Sequence, residues 1–257
     1  MEKETLKSIF NFIEEKETRK TPFLWKLINN EPLTEDDLII NDNLDLSNRK
    51  ITSLPEGLKV DGYLNLSYSD IESLPEGLEV GKHLDLRETN IKTLPKGLKF
   101  RGDLYLQNCK NLKYLPKDLD VKGWLYLDNC KSLKYLPEGL KVGRFLVLSN
   151  TLLTSLPKGL KIGWALNLVD TVIEELPEDL DVGCDFTLDS SKIKSLPENL
   201  EVSCDLNLTN CPIRLLPKGL KVWGTLYIAQ SPLAKLSDEV LLDMIKPDGF
   251  IKGRIYR

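Results

Sequence analysis

Histidine and cysteine are the side chains of this 257-residue chain best suited to proton transfer, nucleophilic attack or metal binding. The single histidine is His83, so a histidine triad or a multi-histidine metal site would have to include it. Asp85 and Asp103 should share its face and could raise its proton affinity, yet no serine or cysteine nucleophile is arranged beside it. We therefore expect a surface histidine, no catalytic residue, and a protein that is not an enzyme.

The cysteines are five in number and include no Cys-x-x-Cys pair, which argues against a disulfide framework and against a zinc site. The repeat spacing described below makes Cys109 a neighbour of Cys130, and Cys184 a neighbour of Cys204. A disulfide is geometrically conceivable in either pair, but we expect the reduced form.

Other ligand-binding chemistry is weakly represented in the sequence. Asp185 and Asp205 could bind a cation, but like-charged neighbours are common on such faces, and no phosphate-binding glycine loop follows any strand. We expect no metal and no cofactor.

A Leu-Pro pair recurs nine times, and its spacing defines the organisation of the chain. The interval is 20 residues except for two steps of 21, and the surrounding unit reads L-x-L-x-x-[TCS]-x-[IL]-x-x-L-P-x-G-L-x-V-x-G-x. The pairs begin at Leu54, Leu74, Leu94, Leu115, Leu136, Leu156, Leu176, Leu196 and Leu216. Such a period predicts a solenoid in which each turn buries its apolar side against its neighbours.

Each Leu-x-Leu segment predicts a short strand with two inward leucines and an outward residue between them. About ten of these strands, from Leu44 to Ile228, should form one long parallel sheet. The small residue after each strand should satisfy the backbone of the turn, and each Leu-Pro should lie opposite the sheet. Trp164 stands at the second glycine position of the repeat unit, and it predicts a local departure.

Both ends of such a stack need to be covered. Leu6, Ile9, Phe10 and Ile13 have helical spacing, and Phe23 to Ile28 indicates a second helix. Ser237 is a plausible N-cap for a helix through Ile245, followed by a strand within residues 250–256. The predicted domains are a helical N-terminal cap (1–40), the solenoid (41–236) and a helix-plus-strand C-terminal cap (237–257).

Composition narrows the class of partner. The 35 Lys+Arg and 39 Asp+Glu are interspersed and leave a net charge of −4, which argues against nucleic acid as a partner. We find no apolar run typical of a signal peptide or a membrane helix. The sequence therefore predicts a cytoplasmic protein that does not bind membranes.

The repeat resembles the leucine-rich repeats of bacterial and bacteriophage proteins, and its first half is similar to that of type III effectors with 20-residue repeats. The resemblance covers residues 44–236. It differs after Leu-Pro, and Thr, Cys or Ser replaces the usual repeat asparagine. The short segment after the repeats leaves no room for the ubiquitin-ligase domain of some effectors. The resemblance implies an α/β-type, right-handed solenoid that binds proteins.

The outward residues of the sheet are the predicted partner-binding site. Aromatic and apolar residues from neighbouring strands should form one patch. Such residues are enriched in interface hot spots, so we expect the patch to bind a protein. Aspartates should form a rim around it that suits a basic partner. The predicted residues are Tyr63, Tyr105, Trp124, Tyr126, Phe145, Val147, Asp85, Asp103, Asp128, Asp185 and Asp205. Alternatively, aromatic residues merely suit strand surfaces, or the patch mates with another copy in a structural, self-assembling protein.

Overall fold

The computed structural model describes residues 23–257. The helix predicted around Leu6 to Ile13 lies outside the described residues. The chain divides into two compact units, Met1–Ile39 and Ile40–Arg257, and the boundary falls within a two-residue strand, β1 (Ile39–Ile40). The domain boundary predicted near residue 40 remains a prediction.

The described part of the first unit contains the predicted helix α1 (Phe23–Ile28) and a 3-10 helix (Glu35–Leu38). Lys26 Nζ donates to Asp37 Oδ2 at 2.7 Å, and the amide and hydroxyl of Thr34 donate to the same oxygen. These contacts, that with Lys26 first, hold the pKa of Asp37 well below its usual range. The carboxylate therefore ties the 3-10 helix to α1.

The second unit is a β-solenoid of about nine turns, with parallel sheets and few helices. Its main sheet has eleven strands in the order β2-β4-β6-β8-β10-β12-β14-β16-β18-β20-β22. These strands are β2 (Leu44–Asp45), β4 (Leu64–Asn65), β6 (Leu84–Asp85), β8 (Leu104–Tyr105), β10 (Leu125–Tyr126), β12 (Phe145–Val147), β14 (Ala165–Asn167), β16 (Phe186–Thr187), β18 (Leu206–Asn207), β20 (Leu226–Tyr227) and β22 (Ile255–Tyr256). The Leu-x-Leu prediction is confirmed at every repeat.

A second set of short strands follows the Leu-Pro pairs and forms smaller parallel sheets, so the prediction of a single long sheet was incomplete. Their orders include β3-β5-β7, β15-β13-β11-β9 and β17-β19-β21. Their segments alternate as the main strands do, as in Leu58-Lys59-Val60, but they follow Leu-Pro and were not recognised as strands. The strands are β3 (Lys59–Val60), β5 (Glu79–Val80), β7 (Lys99–Phe100), β9 (Asp120–Val121), β11 (Lys141–Val142), β13 (Lys161–Ile162), β15 (Asp181–Val182), β17 (Glu201–Val202), β19 (Lys221–Val222) and β21 (Phe250–Ile251).

The core lies between these sheets and consists of aligned apolar side chains. Leu64, Leu84 and Leu104 are paired in register on adjacent strands and are 0% exposed. The second residue of each strand from β3 to β19 in the second set is also buried, as at Val60 and Val80. Burial of this kind stabilises by roughly 1.5–3 kcal/mol per large side chain, and it requires the neighbouring turns.

The small residue after each main strand satisfies the turn, as predicted. Ser69 Oγ donates to the carbonyl of Leu66 at 2.6 Å, and Thr89 Oγ1 donates to that of Leu86 at 2.7 Å. Where cysteine replaces them, the thiol reaches back to the previous turn, as in Cys130 Sγ to Leu106 O at 3.0 Å. Small donors therefore supply a hydrogen bond to the backbone at this position.

The end of the chain follows the repeat more closely than predicted. Helix α2 (Asp238–Met244) is capped by Ser237, whose Oγ accepts the amide of Val240. The single strand predicted within residues 250–256 was wrong, because the segment forms two strands, β21 beside β19 and β22 beside β20. Gly253 separates them, and a Cβ there would lie 2.3 Å from Gly224 O. This corner matches those of the repeats.

Candidate functional site

The outward side of the eleven-stranded sheet, here called the sheet face, has two main columns of side chains. One column precedes the inward residue of each strand, and the other stands between the two inward residues. Register places Tyr105, Tyr126 and Val147 side by side in the second column. The predicted alignment of residues about twenty positions apart is therefore present.

Five aromatic side chains form a continuous group on this face, here called the central ring cluster. Tyr105 and Tyr126 stack with centroids 5.3 Å apart and planes 10° apart. Trp124 meets Tyr126 edge-on at 5.7 Å and Phe145 at 4.9 Å, and Phe145 lies 5.2 Å from Trp164. Four of these residues were predicted site residues, and the structure brings them together.

The rings of the cluster shield one another. Tyr105, Trp124, Tyr126 and Phe145 are half-buried, and Trp124 Nε1 is buried without an acceptor among the described residues. Because stacked rings cover each other's faces, the cluster presents ring edges and tyrosine hydroxyls to solvent. This surface suits apolar contact together with a few hydrogen bonds.

Trp164 extends the cluster, although it was not among the predicted site residues. It was assigned to a glycine position, but the glycine has moved one residue earlier, to Gly163, where a Cβ would lie 2.2 Å from Gly143 O. The predicted local departure is wrong, because β14 keeps its register with β12 and β16. The tryptophan is 46% exposed. In the sequence, glycine at position 163 was the signal that position 164 can carry a large side chain.

Polar groups contact the ring cluster at Tyr105, on one side of the cluster. Tyr105 Oη donates to Asp103 Oδ2 at 3.1 Å, and burial, followed by the Asp103 charge, raises the pKa of Tyr105 to about 12. Arg87 lies over the Tyr105 ring at 5.5 Å and forms an ion pair with Asp85 at 2.6 Å. Tyr105 therefore stays protonated at neutral pH, and Arg87 compensates the charge of Asp85.

Outside the ring cluster, side chains in the column between the inward residues form hydrogen bonds with the backbone. Where the column carries Asp or Asn, the side chain accepts the amide two residues later, as Asn65 does from Ser67 at 3.0 Å and Asn167 from Val169 at 2.9 Å. This bond completes the turn after the strand. A tyrosine cannot accept it, since its oxygen is far from its own backbone. The central repeats give up this bond where they carry rings.

Three predicted rim aspartates bind backbone amides of the next strand. Asp103 accepts from the amide of Trp124 at 2.8 Å, and Asp205 accepts from that of Thr225 at 2.7 Å. Asp185 accepts from the amide of Asp205 at 3.1 Å. The sequence did not reveal these structural bonds because the donor belongs to a different repeat. The charges remain on the face.

His83 has the same structural role as these aspartates. Its Nδ1 accepts the amide of Asp103 at 2.9 Å, and the same atom lies 3.2 Å from Asp103 Oδ2. The side chain is 48% exposed, in line with a surface histidine.

The remaining predicted residues lie at the edges of the cluster. Val147 on β12 is half-buried and lies beside Tyr126 on β10. Asp128 follows β10 and is also half-buried. Burial raises the pKa of Asp128. Tyr63 is exposed on β4's repeat and has no ring contact within the described residues. The predicted aromatic residues other than Tyr63 therefore form one cluster, whereas Tyr63, Asp185 and Asp205 lie on repeats outside it.

The two cysteine pairs differ. Cys184 and Cys204 form a disulfide across adjacent strands with Cα atoms 4.7 Å apart, so our expectation of a reduced pair was wrong there. Cys109 and Cys130 are free and buried, and burial raises the pKa of Cys109 to about 11. Cys184, Asp185 and Cys204 form a possible metal-ligand group among residues 23–257, but disulfide sulfurs are not thiolate ligands.

No protein-family model matches the chain, and no curated protein sequence matches it. Across the described residues 23–257, no helix has the length and apolar character needed to cross a membrane.

Proposed function

We propose that this protein is a non-enzymatic interaction module that binds a partner protein through the central ring cluster. The observation that carries the proposal is the continuous contact of Tyr105, Tyr126, Trp124, Phe145 and Trp164 on one face. Tryptophan and tyrosine dominate interface hot spots. The central repeats also lack the turn bond made by Asn65 and Asn167, so folding of the turn does not account for the rings.

The proposed partner combines an apolar anchor with a basic surround. The carboxylates of Asp103, Asp185 and Asp205 keep their charge while they accept backbone amides, because an N–H donor does not neutralise them. Such charges favour encounter with a cationic surface. Sequestration or inhibition of a cytoplasmic protein is one consequence of such binding.

The proposal includes a finer assignment of the fold. We assign the solenoid to the leucine-rich-repeat class, with a right-handed coil, similar to that of bacterial and phage proteins. Helix α2 and strands β21 and β22 would serve as the carboxyl-terminal cap. Support comes from the nine Leu-Pro repeats and from buried Leu241 and Ile245.

A capture experiment tests the function. The tagged wild type and the Trp124→Ala/Tyr126→Ala variant would be used as baits in cells that naturally produce the protein. A matched control is Tyr227→Ala/Tyr256→Ala, because these rings also stack on the sheet face, at 5.4 Å. We expect the central variant to lose the partner and the control to keep it, with unchanged circular dichroism for both.

Two outcomes contradict the proposal. Equal loss in both variants would mean that any ring pair on the face serves equally well. Self-association that only the central variant abolishes, measured by sedimentation at high concentration, would favour a self-assembling protein.

A further inference from the structure

The two 21-residue repeats share a surface motif that the proposed function does not use. Both read Cys-Lys-x-Leu-Lys-Tyr-Leu-Pro, at residues 109–116 and 130–137. Their exposed side chains, here called the Lys-Tyr patch, are Lys110, Lys113, Tyr114, Lys131, Lys134 and Tyr135. The patch is close to the Leu-Pro pairs and away from the sheet face.

Backbone pairing places the two copies of the motif side by side. The amide of Lys134 donates to the carbonyl of Lys113 at 3.1 Å. The rings of Tyr114 and Tyr135 lie 5.3 Å apart with planes at 43°, and they are 40% and 55% exposed. Two aromatic rings of this size are thus held together in solvent on the outside of the solenoid.

The lysines of the patch differ from those in the same column of other repeats. Lys92 pairs with Glu72, and Lys194 pairs with Glu174. Within residues 23–257, Lys110, Lys113, Lys131 and Lys134 form no ion pair. Lys92 and Lys194 are therefore neutralised by glutamates, whereas the lysines beside the two tyrosines are not.

We propose that the Lys-Tyr patch binds a short acidic peptide segment of a partner protein. The lysines supply positive charge, and the exposed tyrosines supply ring edges and hydroxyl donors. A shallow cleft of about 820 Å³ adjoins Tyr135, and two lysines and one glutamate, Lys117, Lys158 and Glu138, are among the residues that line it. It offers room for an apolar side chain of the same segment.

A short peptide fits better than a long polyanion or an anionic membrane. Glu174 and Glu175 occupy the positions of Lys134 and Tyr135 two repeats further along, only about 10 Å away at the usual strand spacing. An anion that extended that far along the column would approach the Glu175 carboxylate, which forms no ion pair within the described residues, and would be repelled there. The patch also lacks arginine, whose planar fork suits phosphate, and the tilted tyrosines leave no parallel gap for a base.

Fluorescence anisotropy with fluorescein-labelled octaglutamate tests the proposal at about 0.1 M salt, where long-range attraction is screened. We expect binding by the wild type and about tenfold weaker binding by Lys113→Gln/Lys134→Gln, because each exposed charge contact contributes a factor of a few. Tyr114→Ser/Tyr135→Ser should also weaken it. The matched control, Lys92→Gln/Lys194→Gln, removes the same charge from the same column and should bind within twofold of wild type.

Other results would overturn the proposal. These are an absence of octaglutamate binding, equal weakening by both lysine variants, or tighter binding of single-stranded octanucleotide DNA or phosphatidylserine vesicles. The Trp124→Ala/Tyr126→Ala variant should bind octaglutamate like wild type, so failure of the ring-cluster proposal is distinguishable from failure of this one.

Discussion

The sheet face has two kinds of region that share one backbone geometry. On either side of the central ring cluster, Asp45, Asn65 and Asn207 accept the amide that follows their strand. In the middle, Tyr105 and Tyr126 stand at the same register and contact only other side chains on the face. Side chains in the first region complete the fold, whereas those in the second contribute aromatic surface.

The comparison distinguishes side chains that hold the solenoid together from side chains that only form its exposed surface. The inward leucines are buried in both regions, so the core does not distinguish them. The rings replace a local hydrogen bond without adding to the leucine core, and they are the side chains through which we propose that a partner binds.

The largest effect should be the same in both regions. Leu64→Ala and Leu125→Ala each remove a side chain that is 0% exposed, and we expect each to lower the free energy of unfolding by about 3 kcal/mol. Urea unfolding would measure it. A much smaller decrease in the free energy of unfolding for Leu125→Ala than for Leu64→Ala would indicate that the core beneath the ring cluster is less tightly packed.

A smaller effect should distinguish the regions. Asn65→Ala removes bonds to the amide and hydroxyl of Ser67 and should cost about 1 kcal/mol. Tyr126→Asn loses ring contacts but gains an acceptor for the turn, so the net change should be under about 1 kcal/mol. Thermal unfolding of both variants checks this. A larger loss for Tyr126→Asn would show that the rings stabilise the fold itself.

The smallest effect concerns pH. The Ser47 amide lowers the pKa of Asp45, whereas burial raises that of Asp128. Stabilisation from ionised Asp45 is therefore present above its unfolded pKa of about 3.9 and is lost as the pH falls. For Asp128, stability instead falls as the pH rises through its titration. Carboxyl NMR titration should place the Asp45 midpoint below that of Asp128, and the reverse order would contradict this.

The sequence predicted the elements that repeat and missed those that depend on a neighbouring turn. The leucine register followed from Leu-x-Leu, and Ser69 acted locally as expected. The hydrogen bond from the Trp124 amide to Asp103 joins different repeats, so no local pattern reveals it. The repeat spacing did place Cys184 beside Cys204, but the expected reduced form was wrong. Trp164 was missed because its glycine had shifted by one residue.

The most direct test of the central claim is site-specific photo-crosslinking in cells that produce the protein. A benzophenone amino acid would replace Tyr126 in the ring cluster or, as the control, Tyr227 at the far end of the same column. We expect a discrete crosslinked partner from position 126 and none from position 227. Equal adducts from both positions, or none from position 126, would contradict binding through the central ring cluster.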